Sequence, residues 1–333
     1  MSGRALAAER SGRGPALMLL HGYTGSGRSM EGLARAFQHD FDTIAPDLPG
    51  HGRSADRAAR HAYDFDACVD DLLATLAASG HDSAHWLGYS MGARLALACA
   101  VRHPSRVTSL VLLAGRAGIA DPGERAERRR ADEALAARIE ERGVEAFVDE
   151  WLAQPLFATL QRLGPEFMAR ERAARLANDA RGLASSLRVL GPAAQPPLFD
   201  ALPHVNVPML LVAGALDERF VAAAHELARS LPRAEVCVIP DAGHAAHLEQ
   251  PEAFRGAVLL NIAYAQMAST LGNARAAYEI LDWTANEHFT PSLTTTHDPG
   301  QVFNIDVCGG LPDMVIRLLL QSEPGSIDLL PLL

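Results

Sequence analysis

Residues 84–100, AHWLGYSMGARLALACA, decide how the chain is read. A short apolar run meets Gly88-Tyr89-Ser90-Met91-Gly92 and passes at once into an Ala/Leu-rich helical pattern. The order is strand, sharp turn, helix. In that setting GxSxG is a nucleophile elbow: the serine occupies a strained turn, the flanking glycines let the strand and helix backbones approach, and Oγ stands above the sheet. The helix that follows aims its first N–H groups at any negative charge that forms beside Ser90.

Upstream, residues 16–20 (ALMLL) have the unbroken apolar character of a strand buried on both faces. They end at the glycine-rich HGYTGSG, residues 21–27, which lacks the GxGxxG and GxxxxGK[ST] patterns of nucleotide sites. A short helix (29–38), a strand (43–45), the loop DLPGHGRS (47–54) and a helix near 64–79 then lead to the elbow. Downstream, VTSLVLLA (107–114) is another buried strand. From about 121 to 190 the pattern is helical only, rich in charge and alanine. Alternation resumes with a strand at 208–213, a helix near 220–230, a strand at 234–239 and an amphipathic helix from Pro251 to about Met267. Such alternation predicts an α/β fold, a doubly wound and mostly parallel sheet covered on both faces. The helical insertion is expected to lie as a lid over the carboxyl ends of the strands.

The composition removes several classes of function. Of the 333 residues 48% are hydrophobic and 21% charged, and the net charge of -10 argues against nucleic acid or an anionic membrane surface as partner. All 30 cationic residues are arginine, so lysine-based Schiff-base chemistry is excluded. The four cysteines, Cys68, Cys99, Cys237 and Cys308, are far apart and form no Cys/His pattern of a metal site. Neither a metal nor a cofactor is expected. The first 22 residues hold too short an apolar run for a signal peptide, and no stretch approaches the roughly 20 residues of a membrane span, which points to a cytoplasmic enzyme.

A serine hydroxyl becomes reactive when a histidine takes its proton and a carboxylate orients that histidine. Asp217 follows the strand MLLVAG, and His244 sits in the loop after the next strand, so both fall at the carboxyl end of the sheet beside Ser90. The order Ser, acid, His suits a doubly wound sheet of this kind. Asp241 and His247 are the neighbouring rivals, less well placed. The backbone N–H groups of Met91 and Tyr23 are the expected oxyanion donors. His21 is read as structural.

With these residues in place, residues 1 to about 268 resemble the α/β-hydrolase fold. The segments GYSMGAR (88–94), ERAERRRAD (124–132), WLAQPLF (151–157), RLAN (175–178) and GLASSLR (182–188) resemble, more narrowly, the 2-succinyl-6-hydroxy-2,4-cyclohexadiene-1-carboxylate synthase family of menaquinone biosynthesis. That resemblance implies elimination of pyruvate from a cyclohexene polycarboxylate, begun by removal of a ring proton. It makes Ser90, Asp217 and His244 catalytic, with activated Ser90 a base rather than an acylated nucleophile. It implies substrate contacts from Tyr89, Arg94, Arg128, Trp151 and Arg175. Arginine forks suit a ligand with several carboxylates. The bare spacing leaves another reading open, since residues 121–190 hold 12 arginines against 13 acids, and pairs such as Glu124 with Arg128 neutralise many of them. A small-molecule esterase or carbon–carbon bond hydrolase on the same fold is the alternative.

About 65 residues follow the expected end of this unit. Residues 269–333 read as a mainly helical appendage, a fusion or truncated fragment. They resemble the C-terminal end of α-L-fucosidase-type glycoside hydrolases through FNIDVCGG (303–310), where Asp306 would stand as a base. Most of the barrel that would hold a second carboxyl group opposite Asp306 is absent, so no glycosidase activity is expected.

Overall fold

The protein is described from a computed structural model that covers residues 3–58 and 63–271. The fucosidase-like segment and Asp306 lie outside the described residues. The chain divides into two units, Met1–Arg255 and Gly256–Leu333, and the sheet belongs to the first.

Seven strands form one sheet in the order β1-β3-β2-β4-β5-β6-β7. They are β1 (Ala8–Gly12), β2 (Ala16–Leu20), β3 (Asp42–Pro46), β4 (Ala84–Tyr89), β5 (Val107–Leu113), β6 (Met209–Gly214) and β7 (Ala234–Ile239). All neighbours are parallel except β1, which pairs antiparallel with β3. The parallel strands β2, β3 and β6 are buried at every position, as the unbroken apolar runs of β2 and β6 require, while β3 (DTIAP) also buries Asp42 and Thr43. Strand β1 has no signal in the sequence pattern. Its sequence, AERSG, is polar and half-exposed because it lies at the edge of the sheet, and such strands carry no apolar alternation.

Helices α1 (Glu31–Phe37), α2 (Phe65–Ala78), α3 (Met91–Arg102) and α7 (Glu218–Ala228) belong to the strand–helix alternation. Helix α3 is buried from Met91 to Ala100 because it packs on β2, β4 and β5 at the centre of the sheet. Asp64 caps α2 by accepting from the Ala67 N–H at 2.9 Å. The region expected to be a lid is helical throughout: α4 (Pro122–Leu152, broken at Gly143), a 3-10 segment (Pro155–Leu163), α5 (Pro165–Leu176) and α6 (Ala180–Leu190). It has a small apolar core of its own, in which Ala136, Ile139, Phe147 and Val148 of α4 meet Leu183 and Leu187 of α6. After β7 a short helix α8 (Ala246–Glu249) leads into α9 (Pro251–Leu271). Among the described residues no helix is long and apolar enough to cross a membrane.

The elbow is possible only because two positions lack a side chain. A Cβ on Gly92 would lie 2.2 Å from the Leu20 carbonyl oxygen, and one on Gly88 would lie 2.4 Å from that of Gly92. Both obstacles are backbone. Gly92→Ala is therefore expected to destabilise the protein by about 1–3 kcal/mol, measured by urea unfolding. By contrast, exposed Gly32 in α1 has open space around its Cβ direction, and Gly32→Ala is expected to stabilise by about 0.5–1 kcal/mol. Equal effects of the two substitutions would contradict this account.

Candidate active site

Ser90 stands between β4 and α3 with φ 53° and ψ -104°, a conformation that L residues adopt only under constraint. The constraint is visible on both sides. The Ser90 N–H donates to Leu113 O of β5 at 2.8 Å, and the Gly92 N–H donates to His21 O at 3.1 Å. Asp217, just past β6, and His244, past β7, arrive from the neighbouring strand ends. His244 Nδ1 lies 2.7 Å from Asp217 Oδ2, and His244 Nε2 lies 3.2 Å from Ser90 Oγ. Asp217 and His244 are both buried. With the carboxylate accepting from Nδ1–H, Nε2 is left as the acceptor for the serine proton. The loop that carries His244 is held from behind, since the Gly243 N–H donates to Glu249 Oε2 at 2.9 Å.

The two expected oxyanion donors flank the serine. Met91 begins α3, so its N–H has no acceptor one turn earlier within that helix. Tyr23 follows β2 in the segment that the Gly92–His21 hydrogen bond ties to the start of α3. Its hydroxyl donates to Leu183 O of α6 at 2.9 Å, and its ring meets Trp151 edge-on at 5.4 Å.

A cleft of about 450 Å³, its mouth included, is lined by Gly22, Tyr23, Tyr89, Glu171, Arg175 and His247 among others; the triad side chains do not line it, and Tyr89 is the chain neighbour of Ser90. Arg175 pairs with the Glu171 carboxylate and donates to Glu171 O at 3.0 Å, while its buried Nε has no hydrogen-bond partner among the described residues. Trp151 Nε1 is in the same position. Tyr89 packs between the rings of His244 and His247, 5.4 and 4.6 Å away. Burial raises the pKa of both Tyr23 and Tyr89, so they act as neutral groups.

The other two arginines lie apart from this cleft wall. Arg94, one turn beyond Ser90, is buried and donates to Leu190 O at 2.7 Å and Gly191 O at 3.3 Å, the carbonyls that end α6. Burial lowers its pKa to about 10, against the opposing pull of Asp132. Arg128 pairs with Asp132 at 2.7 Å, four residues on, and its side chain is 42% exposed. The acid that neutralises Arg128 is thus Asp132 rather than Glu124. Asp132 lies within the field of both arginines, although its burial outweighs them and raises its carboxyl pKa.

Several contacts around the triad have no signal in the sequence. Phe220 and Phe157 pack against the His244 ring at 4.8 and 6.1 Å, and Arg116 stacks over Phe220 at 5.3 Å. His247 is no rival for the triad. Its ring is buried, its pKa is pushed down to about 3 by burial, and its Nδ1 is without a partner among the described residues. The GHxxH spacing is the one available signal, a single turn of chain placing the second ring behind Tyr89. His21 is structural: Nε2 accepts from the Leu48 N–H at 3.0 Å and Nδ1 meets Gly22 O at 2.8 Å. Among the described residues no three His, Cys, Asp or Glu converge as metal ligands.

A central parallel sheet, a strained serine at the end of β4 and a lid between β5 and β6 define a protein of the α/β-hydrolase class. A family model described as "alpha/beta hydrolase fold" matches residues 15–251. A Bacillus subtilis (strain 168) protein, provisionally named 2-succinyl-6-hydroxy-2,4-cyclohexadiene-1-carboxylate synthase, is 38% identical over 75% of this chain and 91% of its own length. The Enterobacter sp. (strain 638) protein of that name is 35% identical over 72% and 88%. The solved structure of MenH from S. aureus superposes with a TM-score of 0.70 and 29% identity, over 79% of this chain and 97% of that one. The chain belongs to the 2-succinyl-6-hydroxy-2,4-cyclohexadiene-1-carboxylate synthase family.

Burial lowers the pKa of four histidines, His21 and His85 to about 4, His51 and His247 to about 3. Unfolding returns each to its ordinary value near 6.5, so below that pH the unfolded chain binds more protons than the folded one. The sign is then fixed. Stability is full above pH 6.5 and is lost as pH falls toward 4, each histidine adding a slope of up to about 1.4 kcal/mol per pH unit. Urea midpoints measured from pH 8 to 5 should be flat above 7 and fall steeply below 6; a flat profile throughout would contradict these assignments.

Proposed function

We propose that this chain eliminates pyruvate from 2-succinyl-5-enolpyruvyl-6-hydroxy-3-cyclohexene-1-carboxylate, giving 2-succinyl-6-hydroxy-2,4-cyclohexadiene-1-carboxylate. The observation that carries this reading is the pairing of an intact Ser90–His244–Asp217 relay with a cleft lined by Arg175, whose Nε is buried, in a chain of this family. His244 Nε2 takes the Ser90 hydroxyl proton, and Ser90 Oγ takes the ring proton next to the succinyl carbonyl. Charge grows on that carbonyl oxygen, where the N–H groups of Tyr23 and Met91 receive it. The electron pair moves through the ring alkene and expels the enolpyruvyl oxygen as its C–O bond breaks. A proton returns to the leaving group from the His244 imidazolium, and the enol becomes pyruvate. Asp217 stabilises that imidazolium and keeps its orientation.

Substrate carboxylates are taken up by Arg175, Arg94 and Arg128, with Tyr89 and Trp151 against the ring. The support differs from residue to residue. Arg175 has a buried Nε to offer, whereas Arg94 has already engaged the end of α6 and shares the field of Asp132 with Arg128. Arg94 accordingly holds the lid against the elbow helix as well as adding positive potential.

Pyruvate release from the substrate, followed by coupled reduction, tests the reading directly. Ser90→Ala should lower kcat by at least about 10³-fold. Arg175→Ala should raise KM by about 10-fold or more, the loss of a charge-assisted hydrogen bond. No pyruvate alongside rapid turnover of a p-nitrophenyl ester would overturn the synthase reading in favour of an esterase.

We further propose that residues 1–268 are the catalytic unit and that residues 269–333 add no glycosidase activity. The match to the hydrolase family ends at residue 251, which supports the first part. The full chain should leave p-nitrophenyl α-L-fucoside intact, and its hydrolysis at a rate lost on Asp306→Asn would refute the second.

A further inference from the structure

The segment that carries the Tyr23 N–H is strained at its next residue. Thr24 is fully buried and has φ 70°, a left-handed conformation that a β-branched side chain resists. Nothing in its own sequence holds it there, so the surroundings must. A turn hydrogen bond from the Gly25 N–H to Gly22 O, 3.0 Å, closes the loop. His51 Nε2 accepts from the Thr24 N–H at 3.2 Å. The third restraint comes from the lid: Asn178 Nδ2 donates to Thr24 O at 2.8 Å.

Asn178 is buried where α5 ends and α6 begins, three residues after Arg175. Its Oδ1 accepts from the Gly52 N–H at 3.1 Å, and its Nδ2 also reaches Arg175 O at 3.2 Å. The amide thus bridges three backbones, those of the oxyanion loop, the 47–54 loop and the lid. Only an amide serves here, because one side of the group faces a carbonyl and the other an N–H. Leu183 O of α6 meanwhile holds the Tyr23 hydroxyl. Residues 23 and 24, on either side of the peptide after the donor, are therefore both gripped by the lid.

From this geometry we infer that Asn178 is a positioning residue that sets the Tyr23 oxyanion donor when the lid seats against the sheet. It touches no substrate. Its effect runs through Thr24 to Tyr23, and its closeness to Arg175 links carboxylate capture in the cleft to completion of the oxyanion site. The inference rests on reading Tyr23 N–H as an oxyanion donor, and it holds for any reaction of Ser90 that builds charge there.

The test uses the full chain and phenylboronic acid, whose trigonal boron accepts an electron pair from Ser90 Oγ as the hydroxyl proton passes to His244 Nε2, giving a tetrahedral boronate with a boron hydroxyl in the oxyanion site. Asn178→Asp replaces the donor facing Thr24 O with an acceptor; Asn178→Ala removes all three side-chain hydrogen bonds. In each variant the boronate Kd should rise by about 10-fold or more. With the family substrate, kcat should fall to a similar degree while KM stays within about threefold, the opposite of Arg175→Ala. Tyr23→Phe, which loses only the hydroxyl to Leu183, should show a smaller loss of the same sign. Melting temperatures identify variants that remain folded, and Asn178→Ser stands in for any that does not. Unchanged boronate affinity in the folded Asn178 variants overturns the inference, as does a rise in KM with kcat intact. Failure of the functional reading is separate: a wild-type chain that binds boronate through Ser90 yet releases no pyruvate loses the synthase assignment, and the boronate series alone then decides the role of Asn178.

Discussion

The backbone at Ser90 is the constraint on which the rest of the structure depends. A φ of 53° with ψ -104° costs on the order of 1–3 kcal/mol, and it survives because hydrogen bonds from two other strands overdetermine it. The Leu113 and His21 carbonyls belong to the ends of β5 and β2, the strands on either side of β4. The elbow is therefore a property of the sheet's centre rather than of a local motif. A serine in a relaxed turn would leave Oγ directed by its own rotamer; here the sheet aims it at His244. The requirement falls on the neighbouring positions, since Gly88 and Gly92 must both be bare for strand and helix to come so close.

Burial of charge is handled with the same dependence on backbone. Guanidinium groups taken out of water must be given partners. Two solutions are present. Arg94 is hydrogen-bonded by neutral carbonyls at the end of α6, and its burial, opposed by the field of Asp132, lowers its pKa to about 10. Arg175 is paired with Glu171 yet keeps a buried Nε unpartnered among the described residues. The first arrangement fastens the lid and the second leaves a donor for a ligand. Histidines are treated in the opposite way: His21, His51 and His247 are kept neutral by burial, so that their ring nitrogens accept from loop N–H groups or stack on tyrosine without adding charge beside His244.

The parallel strands are legible in the sequence because a strand covered on both faces has an unbroken apolar run, and the triad is legible because strand ends place Asp217 and His244 beside Ser90. Strand β1 is hidden for the complementary reason: AERSG has one solvent edge and no apolar pattern. The lid's existence can be read from helical periodicity, but the partners of its arginines cannot. Twelve arginines among thirteen acids admit many pairings at helical spacing, and spacing alone does not prefer Asp132, four residues after Arg128, to Glu124, four residues before it. Asn178 stands in the sequence only as the last residue of the family-like segment RLAN. Its bridging of three backbones is a long-range fact, with Thr24 154 residues away and Gly52 126 residues away, and no local pattern announces it.

The triad alone does not choose between hydrolysis and elimination. A serine relay with an oxyanion site serves both, since each begins with proton transfer to His244 and each builds charge on a carbonyl oxygen. What separates them is the atom held against Oγ. Hydrolysis needs a carbonyl carbon there, and then a water to release the acyl group. Elimination needs a C–H, with the carbonyl displaced by one bond and no water at all. His244 is walled by Tyr89, Phe157 and Phe220, and Trp151 and Phe147 pack against the Tyr23 ring. Those rings make the surroundings of His244 apolar, and Arg175 in the cleft is a group of the kind that anchors a carboxylate. On the elimination reading the substrate would be held by its charges with a C–H against Oγ, and the groups around the relay, rather than the elbow itself, would determine the chemistry.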